Sequence, residues 1–331
     1  MRRDLASIVA MAGMLVVSQV IALLLAPIFL DGPDRIHGTN DDLNFQAFPD
    51  ATNPVNPLLY ILLILAFTAV ILLLVRYRKR NLAKYVILGS IFFTIAFVFV
   101  VPLYLATYWW MGVDLAGNVA TIGAFLLAIL IVYALYKYPE WYLVDTVGIA
   151  IASGVTAVLG ISFTILPAFL LLIGLAVYDA WAVYRSKHMV TLADEMTSQK
   201  LPILLVVPKK ASYSYLEQKS LKAQIASGEE REAMFMGLGD IISPGVLVVS
   251  ASIFLRPGFG YPDIAVLGLP GYLFVSLMTL VGALVGFSIL MRFVMKGNPQ
   301  AGLPLLNGGA MAGYLVSFAV AFGTTRLFGL A

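Results

Sequence analysis

Two carboxylates sit where a polar side chain is costly. Asp179 falls in LLLIGLAVYDAWAVY (170–184) and Asp240 in GLGDIISPGVLVV (237–249). A charged Asp at the centre of a membrane helix costs roughly 2.5–3.5 kcal/mol on insertion scales, so such a group has a task or a partner. Asp179 lies six residues before Arg185, about 9 Å of helix from the end of its run; Asp240 lies four residues past Met236, about 6 Å into the next. If the two runs are consecutive antiparallel helices, the acids share one depth. Neighbouring helices pack 8–10 Å apart, a gap that two Asp side chains can span.

Carboxylates that close share a proton and titrate as a pair. One takes a proton from a water that attacks a carbonyl carbon. The other donates to the developing oxyanion, and a proton later reaches the leaving nitrogen. Peptide hydrolysis by this route needs no metal or cofactor. The same acids also suit proton or ion relay in a transporter or channel, and each Asp alone can be a structural group bonded to a neighbouring helix. Depth does not separate these readings.

The elements that must carry the acids are membrane helices. Of 331 residues, 61% are hydrophobic and 12% charged, with long apolar runs throughout, which predicts an all-α polytopic membrane protein. Runs near the ~20 residues needed to span a bilayer occur at about 5–30, 57–75, 83–104, 118–136, 143–160, 164–184, 237–255, 264–291 and 302–325. The first is too long for a signal-peptide core and reads as a retained span. Ile161 to Phe163 and nearby residues must turn between the fifth and sixth, and the eighth is long enough to tilt or extend past the bilayer. Nine spans with the N-terminus cytoplasmic put 18 of 21 basic residues inside and the C-terminus outside. The basic residues therefore read as topology signals, and no nucleic-acid partner is expected.

Other chemistry is narrowed by absence. There is no Cys, and the two histidines, His37 and His188, lie in polar stretches. Thiol nucleophiles, disulfides and HExxH zinc sites are excluded. No convincing internal repeat appears, which weakens an inverted-repeat transporter.

Two loops are large. The outer one, 31–56, is rich in Asp and reads as an ordered cap or a mobile loop. The inner one, 186–236, contains the apolar LPILLVVP (201–208). Asp145, near the inner end of the fifth run, reads as able to reach the interface.

Tyr178-Asp179 in one span and Gly237-Leu238-Gly239-Asp240 in the next, joined by a long loop in a nine-span chain, resemble the YD and GxGD signatures of the presenilin and signal peptide peptidase family of intramembrane aspartyl proteases. The family's PAL motif corresponds to Gln300-Ala301-Gly302-Leu303-Pro304, where Leu-Pro matches, Ala301 replaces the first Pro and Gly302 the Ala. The orientation resembles a prokaryotic presenilin homologue, while GDIISPG is at least as similar to the peptidase branch.

The resemblance implies a presenilin-like bundle. Helices 1–5 would occupy 1–160 and the sixth, bearing the first catalytic Asp, 161–185. A cytoplasmic loop would follow over 186–236, then helices 7–9 over 237–331. It further implies cleavage of single-span transmembrane substrates by Asp179 and Asp240, in a multi-pass protein of a prokaryotic plasma membrane. Homo-oligomerisation is open.

The motif neighbours have physical uses. Gly237 and Gly239 let a backbone approach Asp240. Pro244 leaves the Asp240 carbonyl without its helical donor and loosens the helix. Tyr178 points about 100° from Asp179 and suits packing. Leu303-Pro304 starts the ninth span and exposes backbone groups beside the site. GALVG (282–286) has the small-xxx-small spacing of packing inside a bundle. A substrate helix must unwind before attack, and Leu201 to Val207 could offer its amides a strand partner.

Overall fold

The computed structural model describes residues 2–35, 45–77, 79–186, 204–209, 213–216, 232–295 and 300–324. Among them run nine α-helices: α1 (Arg2–Arg35), α2 (Asn56–Arg76), α3 (Arg80–Met111), α4 (Val113–Lys137), α5 (Trp141–Ser162), α6 (Ile165–Trp181), α7 (Leu238–Phe254), α8 (Gly271–Met295) and α9 (Leu303–Phe322). Eight are long and apolar enough to cross a membrane; α7, equally apolar, has 17 residues. His37, His188, Leu201 to Ile203 and most of the 186–236 loop lie outside the described residues.

The fold is not purely helical. Strands β1 (Leu204–Pro208) and β2 (Ala233–Gly237) pair antiparallel, with Leu204 opposite Gly237 and Pro208 opposite Ala233. A second pair, β3 (Ala265–Val266) and β4 (Leu269–Pro270), occupies the first part of the apolar run read as the eighth span. Leu267 (φ 52°) and Gly268 (φ 79°) form a tight turn between them. Positive φ at both central residues is the requirement of a type I′ hairpin. The helix therefore starts only at Gly271, whose amide closes the hairpin base on the Ile264 carbonyl at 2.6 Å. Hydropathy alone cannot see this break, because hairpin and helix are equally apolar.

α7 is the centre of the bundle. Its residues from Ser243 to Phe254 are buried, and α1, α5, α6, α8 and α9 all pack on it. Exposed Leu58, Leu62, Leu63, Ile122, Leu126 and Leu130 on α2 and α4 face outward, as lipid-facing side chains do.

The turn between α5 and α6 falls at Phe163 and Thr164, both extended. The segment after α1 caps it. Gln46 Nε2 donates to the Ile161 carbonyl (2.8 Å), the Ala47 amide to Ser162 Oγ (2.7 Å), and the Thr164 amide to the Ala51 carbonyl (3.0 Å). Phe48 packs on Phe163 with ring centroids 5.4 Å apart. This part of the 31–56 loop is thus an ordered cap, and α1 runs on to Arg35.

Candidate active site

The acids arrive from α6 and α7 and meet at the N-terminus of α9. Asp179 sits in the last turn of α6 and is 2% exposed. Its Oδ2 accepts the Leu303 amide at 3.0 Å, and the Gly302 amide also points at it. Asp240, half-buried in the first turn of α7, receives the Gly237 amide. A Cβ at Gly302 would lie 3.1 Å from Asp240 Oδ1. One glycine thus gives its amide to Asp179 and its bare α-carbon to Asp240. The carboxylates are near enough for the charge of one to act on the other.

Local sequence explains these positions. Helix N-termini carry unpaired amides, which suit a carboxylate. Pro304, in the first turn of α9, needs no amide partner there. Gly237 is extended (φ −69°, ψ 140°) and starts α7 directly from β2, so Asp240 follows the strand by three residues. Pro244 lies inside α7 without ending it, and Gln19 of α1 donates to the Ile241 carbonyl at 2.8 Å.

The other motif residues divide. Gly239 is exposed, with open space where a side chain would stand. A Cβ on Gly237 would meet only the Asp240 carboxylate, at 3.5 Å. Leu238 turns away from the acids, into a notch on α5 over Gly148. The Tyr178 ring lies against Trp181, with centroids 6.5 Å apart. Beside the site, Tyr184 donates to Gln300 Oε1 (2.8 Å), tying the π-turn after α6 (Ala182–Ser186) to the approach to α9. Asn307 Nδ2 donates to the Leu172 carbonyl (3.0 Å), a second tie between α6 and α9.

Three features escape the sequence reading. Strand β2 lies almost wholly in the stretch read as the end of the 186–236 loop. The Gly302 and Leu303 amides carry no side-chain signal. Asp145 is covered by protein: it is 3% exposed, and its Oδ1 accepts the Val206 amide at 2.7 Å. What buries it is a strand 61 residues away, so its position in the fifth run could not reveal its surroundings. The same bond occupies an amide on the side of β1 turned away from β2. The Leu201 to Val207 edge is therefore not free to pair with another strand over its described part.

A family model described as signal-peptide peptidase, presenilin aspartyl protease matches residues 12–324. Two solved structures of a presenilin family intramembrane aspartate protease are similar to the chain. One, in space group C222, shares 32% identity over 95% of this chain and 98% of that one, with a TM-score of 0.60. The other, in space group P2, shares 33% identity over 94% and 97%, with a TM-score of 0.60. No curated protein matches. The chain belongs to the signal-peptide peptidase and presenilin family of aspartyl proteases, and it is a multi-pass membrane hydrolase.

Proposed function

We propose that the protein cuts single-span helical substrates within the bilayer, with Asp179 and Asp240 as its catalytic pair. The observation that carries this reading is the approach of both carboxylates to Gly302 and Leu303, inside a bundle of apolar helices. The pair shares one proton. The ionised member takes a proton from water as the oxygen attacks the scissile carbonyl; the protonated member donates to the oxyanion, and collapse passes a proton to the leaving nitrogen. Gly239 leaves room for the substrate backbone.

A scissile bond inside a helix is shielded, and unwinding it frees amides that need partners in lipid. The partner we infer is β2. Its outer edge is not covered extensively by another described element, and it leads directly to Asp240. A substrate strand added there would lay its backbone toward the dyad. We further infer nine spans, with α7 at about 26 Å close to the ~30 Å hydrocarbon thickness, a cytoplasmic N-terminus and an outer C-terminus, in a prokaryotic plasma membrane. In that frame 1–160 is scaffold, 161–185 and 237–331 carry the site, and 186–236 is the cytoplasmic loop.

The test uses purified protein with a single-span helical substrate in detergent. Mass spectrometry should find paired fragments, and Asp179→Asn and Asp240→Asn should each abolish them. Fragments persisting in either variant, or proton flux in proteoliposomes with no fragments from the wild type, would overturn the reading.

A further inference from the structure

Another acid of the bundle, Asp145, is as buried as Asp179 and takes no part in the proposed dyad. Asp145 lies on α5, beyond the first turn that follows Glu140. Its Oδ1 holds the Val206 amide, and its Oδ2 has no hydrogen-bond partner. One turn further along α5, Gly148 leaves a notch: a Cβ there would fall 2.8 Å from Leu205 Cδ2 and 3.2 Å from Leu238 Cδ2. The same stretch of α5 therefore grips β1 by its backbone and receives two leucines. One belongs to β1. The other stands inside the Gly-Leu-Gly-Asp run, two residues before Asp240.

The far end of β1 is anchored as well. Ser7 of α1 donates to the Pro208 carbonyl at 3.2 Å, and Lys209 pairs with Asp4 at 2.6 Å. These contacts hold the end of the strand. The Asp145 bond reaches its middle, at Val206, opposite Phe235 of β2. A buried acceptor aimed at one amide fixes the strand both along and across its axis, because an amide left without it would be orphaned in an apolar setting.

We propose that Asp145 is a positioning residue for the cleavage reaction: through Val206 and the Gly148 notch it fixes the β1–β2 pair and Leu238, and so sets which substrate bond reaches Asp240. Its role is to accept one hydrogen bond, without proton transfer. This rests on the reading that Asp179 and Asp240 cut a substrate strand laid along β2.

Asp145→Asn keeps an acceptor oxygen for Val206, whereas Asp145→Leu fills a similar volume and removes it. In detergent with a single-span substrate, Asp145→Leu should lower kcat by about tenfold or more, since misplacement near 1 Å can cost up to about 10²-fold. KM should change little, and the fragments should spread from one cut to neighbouring bonds. Asp145→Asn should restore the wild-type cut position and most of the rate. A folded Asp145→Leu protein with wild-type kcat and a single cut overturns the proposal, as does an Asn variant as impaired as the Leu variant. Should Asp145→Leu fail to fold, Gly148→Ala reads the same seat by pressing on Leu205 and Leu238. A shifted cut supports the proposal and an unchanged one overturns it. Wild-type protein that never cuts overturns the protease reading and this inference with it, whereas a wild-type cut unaffected by these variants overturns the inference alone.

Discussion

Helix α9 has two unlike sides. Toward α8 it packs backbone on backbone. A methyl group on Gly282 would fall on the Gly309 carbonyl, one on Gly286 on the Leu305 carbonyl, and one on Gly313 against Met278. Toward α6 the contact is made by side chains: Asp179 to the Leu303 amide, Asn307 to the Leu172 carbonyl, and Phe169 against Tyr314 with centroids 5.3 Å apart. The glycine seam leaves no room for a side chain, whereas the α6 seam is bridged by polar and aromatic side chains. The candidate chemistry lies on the second seam, and the first keeps the helix bearing Gly302 and Leu303 in place.

Substitutions at the two seams should therefore fail differently. Asp179→Asn should abolish cleavage, since a pair sharing one proton needs both members, one to accept and one to donate. Its unfolding temperature should barely move, since Asn still accepts from Leu303. A collapse of that temperature would make the α6 seam structural. Gly309→Leu should act the other way. Overpacking costs typically 1–3 kcal/mol, and more against backbone, so thermal unfolding in detergent should come markedly earlier. Gly308→Leu, at a position with open space, is its neutral control. Gly302→Ala should fall between. Its methyl would sit 3.1 Å from Asp240 Oδ1, so the carboxylate must yield by a few tenths of an ångström. Turnover should drop about tenfold or less with unfolding unchanged, separating placement from stability. The smallest effect belongs to Asn307→Leu, which removes an interhelical hydrogen bond worth about 0.6 kcal/mol on average, visible only as a slight shift in unfolding.

What could be read in the sequence follows from what a linear pattern carries. Depth along an apolar run is additive at 1.5 Å per residue, so Asp179 and Asp240 could be set at one level before any coordinates. The spacing of GALVG likewise pointed inside the bundle, where Gly282 and Gly286 lie on α9. Contacts between distant segments carry no such pattern. Met234 to Met236 read as the end of the 186–236 loop because pairing with β1, not composition, makes them strand. Residues 264–270 read as span for the same reason, until the turn at Leu267-Gly268 is seen. Asp145 looked peripheral because depth says nothing of what lies beside a residue, and Val206 comes from within the long segment between α6 and α7.

The cap on the α5–α6 turn has a mechanical consequence. Ala51 holds the Thr164 amide, Phe48 and Tyr60 press on Phe163, and Ser250 of α7 donates to the Phe163 carbonyl at 2.8 Å. Helix α6 is thus clamped at its N-terminal end, while its C-terminal end runs into a π-turn. Asp179 stands about 21 Å from that clamp, so a tilt of about 3° would swing its carboxylate by about 1 Å, against the ties that Tyr184 and Asn307 make between α6 and the start of α9. Angular stiffness at Phe163, on the opposite side of the molecule, would then govern how often the two acids are in register.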